Sequence, residues 1–447
     1  MLHVLIVGAG IAGLSAAISL RRAGHAVHIY ERSSMNHEIG AAINIPPNAS
    51  RVLMAWGLDP FRWQFVKARL LTYQDPFTLE KVADLANEKT ASSLGGAELY
   101  YAHRVDLHNA LKWLATQPEG PGTPVKIHLQ SEVEAYDPYA PSITLRTGQQ
   151  IRGDLVVGAD GVHSSASEAV LGHKNDPVPP VHSNSCYRFL IPAATLEDDP
   201  ETRFWNQDCD GWARVLAHNE TGRRIFTYTC RDNSIHNFVG IFYDNSAEYE
   251  KREAADWQAS VDVSDVLDRF SDYDPRILKI MSKATEVKRW PLLYRDPISR
   301  WYRGRMALAG DSAHPMLPHQ GQGGAQGIED GLALGIVMHR ASTPAEIENR
   351  LDVYDKVRRN RASVIQVLSN VGQDQSKHVR EELLHYMSDK KLPTNPLEIL
   401  KHNFGYDIID ATVKAMRERD STFQLPDDFF SCEVVGVPLL PSVPNQD

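Results

Sequence analysis

The sequence predicts an α/β fold in which a Rossmann-like domain is interleaved with an antiparallel-sheet domain and followed by C-terminal helices. Three observations carry that expectation. A strand, a glycine turn, a helix and a second strand stand at the extreme N-terminus, over 2–31. Segments of alternating apolar and polar residues begin near 181. A further apolar strand, a glycine-rich loop and a helix return at 305–341, beyond those segments.

Residues 2–7 (LHVLIV) form a short continuous apolar run, the pattern of a strand buried on both faces. AGLSAAISLRRA (12–23) reads as a helix ending near Gly24, and HAVHIYE (25–31) as the next strand, so the chain opens as a βαβ unit. A proline-started helix follows at 46–58, then a mixed region to about residue 95 and a helix at 104–115. Strands are expected at 125–129, 143–146 and 155–160. CYRFLIPA (186–193), GWARVLAH (211–218), RRIFTYTCR (223–231) and NFVGIFYD (237–244) alternate as an antiparallel sheet does, and a helical stretch at 262–283 closes it. RMALAG (305–310) is again a buried strand, followed by a loop and a helix at 324–341. From 345 the chain reads as mostly helical until Pro426, with an irregular tail. No repeat or low-complexity linker separates these parts. The expected division is 1–180 with 285–365 as a discontinuous nucleotide-binding domain, 181–284 as the sheet domain, and 366–447 as a C-terminal region.

A net charge of −10 over 447 residues, with no long basic run, argues against nucleic acid as a partner. Four cysteines without CxxC spacing suggest neither a zinc knuckle nor a redox dithiol, and fit a reducing compartment. The uncharged stretch 4–20 could pass for the apolar part of a signal peptide, but no Lys or Arg precedes it and three glycines interrupt it. No other run is long enough to span a bilayer, so a soluble, cytoplasmic protein without a membrane partner is expected.

Three motifs carry chemistry. In GAGIAG, Gly8 permits the tight turn after the strand, Gly10 lets backbone approach a pyrophosphate, and Gly13 lets the helix pack on the strand. Glu31, ending the second strand, can accept both hydroxyls of an adenosine ribose. GADGVHS (158–164) is by itself a tight turn around Asp160. GDSAHPMLPHQGQGG (310–324) would permit a metal held by Asp311, His314 and His319. However, Pro315 and Pro318 forbid a helix between the histidines, and no second His/Asp cluster completes a site, so no metal is expected. The run from His319 to Gly324 looks instead like backbone arranged against a planar ligand, ahead of a helix N-terminus suited to negative charge.

Taken together, GAGIAG with Glu31, GAAINIPPNASRVLMAWGL (40–58), HRVDLHNAL (103–111), GADGVHS and GDSAHPMLPHQGQGGAQGIEDG (310–331) resemble one family. They are similar to the class A flavoprotein aromatic hydroxylases, of the salicylate-hydroxylase type with the para-hydroxybenzoate-hydroxylase fold, and to fungal members in texture. The blocks reach from residue 1 to about 340, roughly three quarters of the chain. The resemblance implies an FAD-binding domain of the glutathione-reductase type, holding FAD rather than NAD. Glu31 and Arg32 would serve the adenosine ribose end, Arg104 the pyrophosphate–ribityl region, and Asp311 the ribityl chain. Ala42 would lie beside the flavin, and Pro318, Gly321, Gly323 and Gly324 would border its ring. Asp160 would support both dinucleotide sites. NAD(P)H would bind transiently at the surface, as no second GxGxxG unit is present.

The implied reaction is hydroxylation of a phenolic aromatic, a salicylate-like acid or aromatic polyketide, by O2 through a C4a-hydroperoxyflavin in a dry pocket. Arg188 and Tyr228 match the residues that bind and polarise the phenolate in fungal members. The sequence departs from the family at Thr229, where Pro is usual, at Ala325, where Asn is usual, and at Ser312, where Ala is common. Trp205, Trp212 and Trp290 are candidates for an aromatic pocket wall, His103 reads as structural, and His314 and His319 as neighbours of the flavin loop. The alternatives are a dearomatising hydroxylase or epoxidase of the same fold, or a non-catalytic dinucleotide-fold protein, against which the GD loop argues. A monomer or homodimer is expected.

Overall fold

Residues 1–35, 41–176, 184–243, 259–292, 294–371 and 379–430 are described in a computed structural model. The N-terminal apolar run forms β1 (His3–Val7), the glycine turn opens α1 (Ile11–Arg22), and β2 (Ala26–Tyr30) returns parallel to β1. There follow β3 (Ala42–Ile45), α2 (Pro47–Ala55), β4 (Val66–Lys67), β5 (Leu70–Gln74), β6 (Lys81–Asn87), α3 (Thr90–Gly95), β7 (Tyr100–His103) and α4 (Arg104–Thr116). Then come β8 (Lys126–His128), a meander of β9 (Val133–Asp137), β10 (Ser142–Leu145) and β11 (Gln150–Arg152), and β12 (Leu155–Gly158) with α5 (Ser165–Leu171).

The second half holds β13 (Asn184–Pro192), α6 (Ala193–Glu197), β14 (Trp212–Ala217), β15 (Arg224–Cys230), β16 (Ile235–Tyr243), β17 (Ala259–Val261), α7 (Val263–Arg269), α8 (Pro275–Met281) and β18 (Val287–Pro291). The chain then returns through β19 (Tyr302–Arg303) and β20 (Met306–Leu308) to α9 (Gly323–Met338), and α10 (Pro344–Ser369), α11 (Arg380–Leu383), α12 (Pro396–Phe404) and α13 (Ile408–Arg419) follow. The irregular tail lies, from 431, outside the described residues.

The Rossmann-like sheet has the order β19-β20-β12-β1-β2-β8. Its central strands pair in parallel and are apolar except at His3 and His28, as strands covered on both faces largely are. β20 joins β12 some 150 residues later in the sequence, so this sheet draws its strands from two separated stretches of the chain. α1 and α9 lie parallel against each other. A Cβ at Gly331 would stand 2.4 Å from the backbone of Ser15, and one at Gly335 would stand 2.3 Å from Cβ of Ser19, so only glycine admits this approach.

The second sheet has eight strands in the order β17-β18-β13-β16-β15-β14-β5-β6. It is antiparallel except where β14 runs parallel to β5. Three strands come from outside the expected 181–284: β5 and β6 from the mixed region, and β18 from just beyond. The helical stretch at 262–283 is two helices, because Pro275 starts α8 and Asp274 caps it by accepting the Arg276 N–H at 2.8 Å. Alternation divides this sheet cleanly. Tyr187, Phe189, Phe238 and Phe242 point to a core shared with α7 and α8. The neighbouring residues, Arg188, Leu190, Tyr228, Asn237, Lys288 and Trp290, share the other face by register: Arg188 stands opposite Val239 and Lys288, and Asn237 opposite both Leu190 and Tyr228.

α10 begins with a capping box between Thr343 and Glu346, and α12 and α13 pack behind α3 and α9. No helix among the described residues is long and apolar enough to cross a membrane.

Four histidines are buried where charge is costly. Burial holds His103 at about 4, and His236, His319 and His402 at about 3. Each binds its proton more readily in the unfolded chain, at the ordinary 6.5, so stability falls as pH drops below that value. At pH 5 each favours unfolding by about 2 kcal/mol. Thermal melts from pH 7 to pH 4.5 are expected to show a steady loss of Tm beginning near 6.5, and a flat profile would contradict the burial of these rings.

Candidate active site

The strand–turn–helix at the N-terminus makes one wall of a cleft. Gly8 has φ +99°, and a Cβ there would fall 2.2 Å from the Ala159 carbonyl oxygen, so β12 comes as close as a glycine allows. Gly13 closes on the Gly8 carbonyl in the same way. Gly10 is open to the cleft, and no side chain caps the first turn of α1, leaving its N–H groups toward that opening. The Glu31 carboxylate accepts the Ala9 N–H and the Ser33 N–H, both at 2.8 Å, and still has lone pairs facing the cavity. Arg104 is exposed on the cavity wall at the first residue of α4, its own N–H held by the Ala41 carbonyl at 2.8 Å. One turn on, His108 Nε2 meets the Ala9 carbonyl at 2.7 Å, tying α4 to the glycine turn. Arg32 is exposed beside this turn.

Asp311 approaches from the other end of the chain. Gly310 donates its N–H to Asp330 at 2.8 Å, and the Ser312 hydroxyl donates to the Gly158 carbonyl at 2.7 Å. With its neighbours fixed inward, Asp311 is left exposed on one side and walled by protein on the others. That crowding lifts its carboxyl above the usual range, against the pull of His314, Arg104 and Arg295. Arg104 and Asp311, 207 positions apart in the numbering, are thus within electrostatic reach of each other.

The loop after Asp311 lies along β3. A Cβ at Gly321 would stand 3.0 Å from Asn44, and one at Gly324 2.8 Å from Ile43. Pro318 opens a single 3-10 turn there, and α9 then starts at Gly323 without a side-chain cap. Because α9 is parallel to α1, two uncapped helix N-termini point the same way.

A buried ionic network anchors this loop. The Arg358 guanidinium spans Glu329 and Asp330, meeting Asp330 Oδ1 at 2.8 Å, and every side chain of the three is fully buried. Arg361 and Asn48 also bind Glu329, at 3.3 and 2.6 Å. Asp330 Oδ2 holds both the Gly310 N–H and His314 Nε2, the latter at 2.6 Å. Burial presses both carboxyls upward, but the cations and hydrogen bonds outweigh it and keep both below the usual range. His314 is therefore no neighbour of a ring in the cleft: it is wholly buried, stacked on Trp301, and holds the loop's backbone through Asp330. His319 sits at the loop's outer edge, with Nδ1 at 3.0 Å from Arg224 on β15.

Asp160 accepts from the Ser164 hydroxyl, the Ala166 N–H at 3.0 Å and the Tyr136 hydroxyl at 3.1 Å. These bonds fix the DG turn and the start of α5. His103 bonds Arg231 at 3.2 Å, and Arg231 grips Asp106 through two nitrogens at 2.6 and 2.9 Å.

The sheet supplies the opposite wall. A cavity of about 470 Å3 runs from Gly10, Glu31 and Arg104 to Arg188, Asn237 and Trp290. The Arg188 guanidinium lies 5.6 Å from the Trp290 ring centroid, and its Nε finds no hydrogen-bond partner among the described residues. Tyr228 is set deeper, stacked on Tyr101 of β7 at 4.5 Å. Burial raises its phenol above the ordinary range while Arg188 pulls it down, so the two are within electrostatic reach. Ala42 donates its N–H to Asn237 at 3.3 Å, joining β3 to the sheet. Of the three tryptophan candidates only Trp290 lines this cavity. Trp205 belongs to the core on the far face, and the Trp212 Nε1–H is spent on Thr72 at 2.9 Å. Sequence reasoning missed Asp330, Arg358, His108 and Asn237; Asp330 and His108 lay within motifs that drew notice, in the stretches GIEDG and HRVDLHNAL.

The residues present fit an FAD. Two uncapped helix ends suit its anionic pyrophosphate and ring, the glycine cradle admits backbone contact, and Glu31 and Asp311 offer acceptors to its sugar and polyol hydroxyls.

The model of the family "FAD binding domain" matches residues 1–368. The chain is 52% identical to FAD-dependent monooxygenase cfoG of Aspergillus candidus over 428 residues, covering 96% of this chain and 98% of that protein. It is 32% identical to hispidin-3-hydroxylase of Neonothopanus nambi, covering 91% and 94%. A salicylate hydroxylase–substrate complex superposes with a TM-score of 0.69 at 21% identity, covering 93% of this chain and 98% of that one, and so shows the shared fold.

Two substitutions separate cofactor contact from anchoring. Asp311→Ala is expected to keep the fold and lower the FAD retained after gel filtration, and full occupancy would contradict a polyol contact. Asp330→Asn leaves Arg358 partly unpaired in a dry interior and is expected to cost about 3–5 kcal/mol of stability, read as a lowered denaturation midpoint.

Proposed function

The chain belongs to the FAD-binding-domain family and is a flavoprotein monooxygenase, and from that premise we propose that it hydroxylates a phenolic aromatic, with NAD(P)H as transient electron donor and O2 as co-substrate. The observation that carries the aromatic reading is Arg188: a guanidinium on the cavity wall that meets no carboxylate among the described residues. A phenol gives up an oxygen-accepting ring position far more readily once ionised, and a fixed cation favours the ionised form. Epoxidation of an unactivated alkene would have no use for such a group. Hispidin-3-hydroxylase, a relative over nearly the whole chain, is named for a hydroxylation of this kind.

The proposed roles follow from placement. Glu31, Arg104, Asp311 and the ends of α1 and α9 hold the FAD, with Arg32 at its adenosine end, and Ala42, Pro318, Gly321, Gly323 and Gly324 bordering its ring. Asp160 serves by fixing the DG turn. Bound there, FAD supplies the redox chemistry that activates dioxygen. Arg188 orients the phenolate. Tyr228, whose burial keeps its hydroxyl protonated, donates a hydrogen bond rather than abstracting a proton. Ile11, Leu190 and Trp290 give the cavity apolar walls that limit water. The cofactor domain is proposed as 1–180 with 285–365, and the substrate sheet as 181–284 extended by β5, β6 and β18.

Arg188→Ala is expected to retain FAD yet lower hydroxylated product per NAD(P)H consumed by about tenfold or more, the loss of one charge-assisted contact. Tyr228→Phe should do the same to a smaller extent. The measurement is product by mass against NAD(P)H oxidation and peroxide released, with hydroxybenzoic acids, resorcinols and acylphenols as candidates. Unchanged coupling in both variants would remove these residues from the substrate site.

A further inference from the structure

Asn237 stands where the substrate sheet meets β3, and its two amide atoms have different fates. Oδ1 accepts the Ala42 N–H at 3.3 Å. This contact settles which way the amide points, since the flipped group would set one donor against another. Nδ2 is left without a partner among the described residues, although the side chain is only 1% exposed and lines the cavity. A buried donor with no acceptor is costly unless something that enters supplies one.

The rest of that wall points the same way. The sheet presents Arg188, Leu190, Asn237, Lys288 and Trp290 to the cavity. Four of these are donors, and Trp290 Nε1 and Arg188 Nε also lack partners among the described residues. The one acceptor among them, Asn237 Oδ1, is spent on Ala42. Glu286 lies exposed at the rim. Arg188 and Asn237 are diagonal neighbours across β13 and β16, with Arg188 opposite Val239 and Asn237 opposite Leu190, a spacing of roughly 7–8 Å between backbones. One aromatic ring carrying two acceptor oxygens can therefore meet both.

We propose that Asn237 is a specificity-determining residue whose Nδ2 donates to a second acceptor oxygen of the substrate, which places the substrate among phenols bearing a carbonyl or carboxylate rather than among simple or alkylated phenols. This rests on the phenol-hydroxylase reading and narrows it.

The test titrates the purified FAD-holoenzyme, following flavin fluorescence, with a matched pair: 2,4-dihydroxyacetophenone and 4-ethylresorcinol, which differ in the carbonyl. The wild type is expected to bind the ketone about tenfold more tightly. Asn237→Asp keeps the acceptor for Ala42 and removes the donor. It is expected to retain its FAD, bind the ketone at least tenfold more weakly, and bind the ethyl compound within twofold of wild type. Should the aspartate variant lose flavin, Asn237→Ala gives the same comparison and the same expected equalisation. Equal binding of the pair by wild type overturns the proposal, as does a preference that survives in the variant, or failure of both compounds to bind. None of these results touches the broader reading, which fails instead if the holoenzyme holds FAD but no phenol of any class speeds its consumption of NAD(P)H.

Discussion

Two helices, α1 and α9, run parallel with their backbones nearly in contact, and the cleft depends on it. Parallel helix dipoles side by side repel, and nothing in local sequence preference favours the arrangement. It is held because glycines at 331 and 335 remove the side chains that would keep the helices apart, and because Arg358 cross-links Glu329 and Asp330 within α9 and carries the load to α10. Two helix N-termini then open on one place, a concentration of partial positive charge that a dinucleotide with an electron-accepting ring can neutralise. The first motif supplies one end, and residues three hundred positions later supply the other.

The sheet is joined to this frame at few points, each specific. Asn237 holds the backbone of β3, Tyr228 stacks on β7, Arg224 reaches His319, and Arg231 clasps Asp106 two residues after Arg104. The last contact comes from a hairpin whose residues Arg231, Asp232 and Asn233 are all in the left-handed region, with φ of 52, 50 and 62°. Asp232 and Asn233 are the non-glycine types that tolerate this region best, whereas Arg231 is not. The turn folds the β15–β16 tip onto α4, and the substrate wall and the cofactor wall thereby share one reference point.

Much of the frame was legible in the sequence because its signals are local. GAGIAG fixes a turn by backbone sterics, Glu31 follows at a set distance, and the alternation around Arg188 and Tyr228 marks both segments as strands, while only the pairing through β16 puts the two residues on one face. The order of blocks identified the family, and the family implied the cofactor. What stayed hidden depended on contacts distant in sequence. β5 and β6 read as a mixed region because their exposed edge lacks a clean apolar pattern, and only pairing with β14 reveals their sheet. Arg358 and Arg361 sit in a charged stretch of α10 that looks like a solvated surface, yet both are buried against Glu329. His314, with proline beside it, suggested a loop residue near a ring, whereas its partner is an aspartate one helix away. Asn237 carried no signal at all, since an asparagine in a strand is ordinary until its neighbours are known.

The strict alternation of the eight-stranded sheet has a consequence for how such a protein diversifies. Phe189, Phe238 and Phe242 secure the sheet from one side, while Arg188, Asn237 and Trp290, at the intervening positions, face the cavity. Under the proposed roles, exchanging one of the latter would alter what the cavity accepts without opening the core beneath it. Such replacements leave the aromatic core on the far face intact, although Cys186 and Ile241 on the cavity side pack in a small cluster of their own.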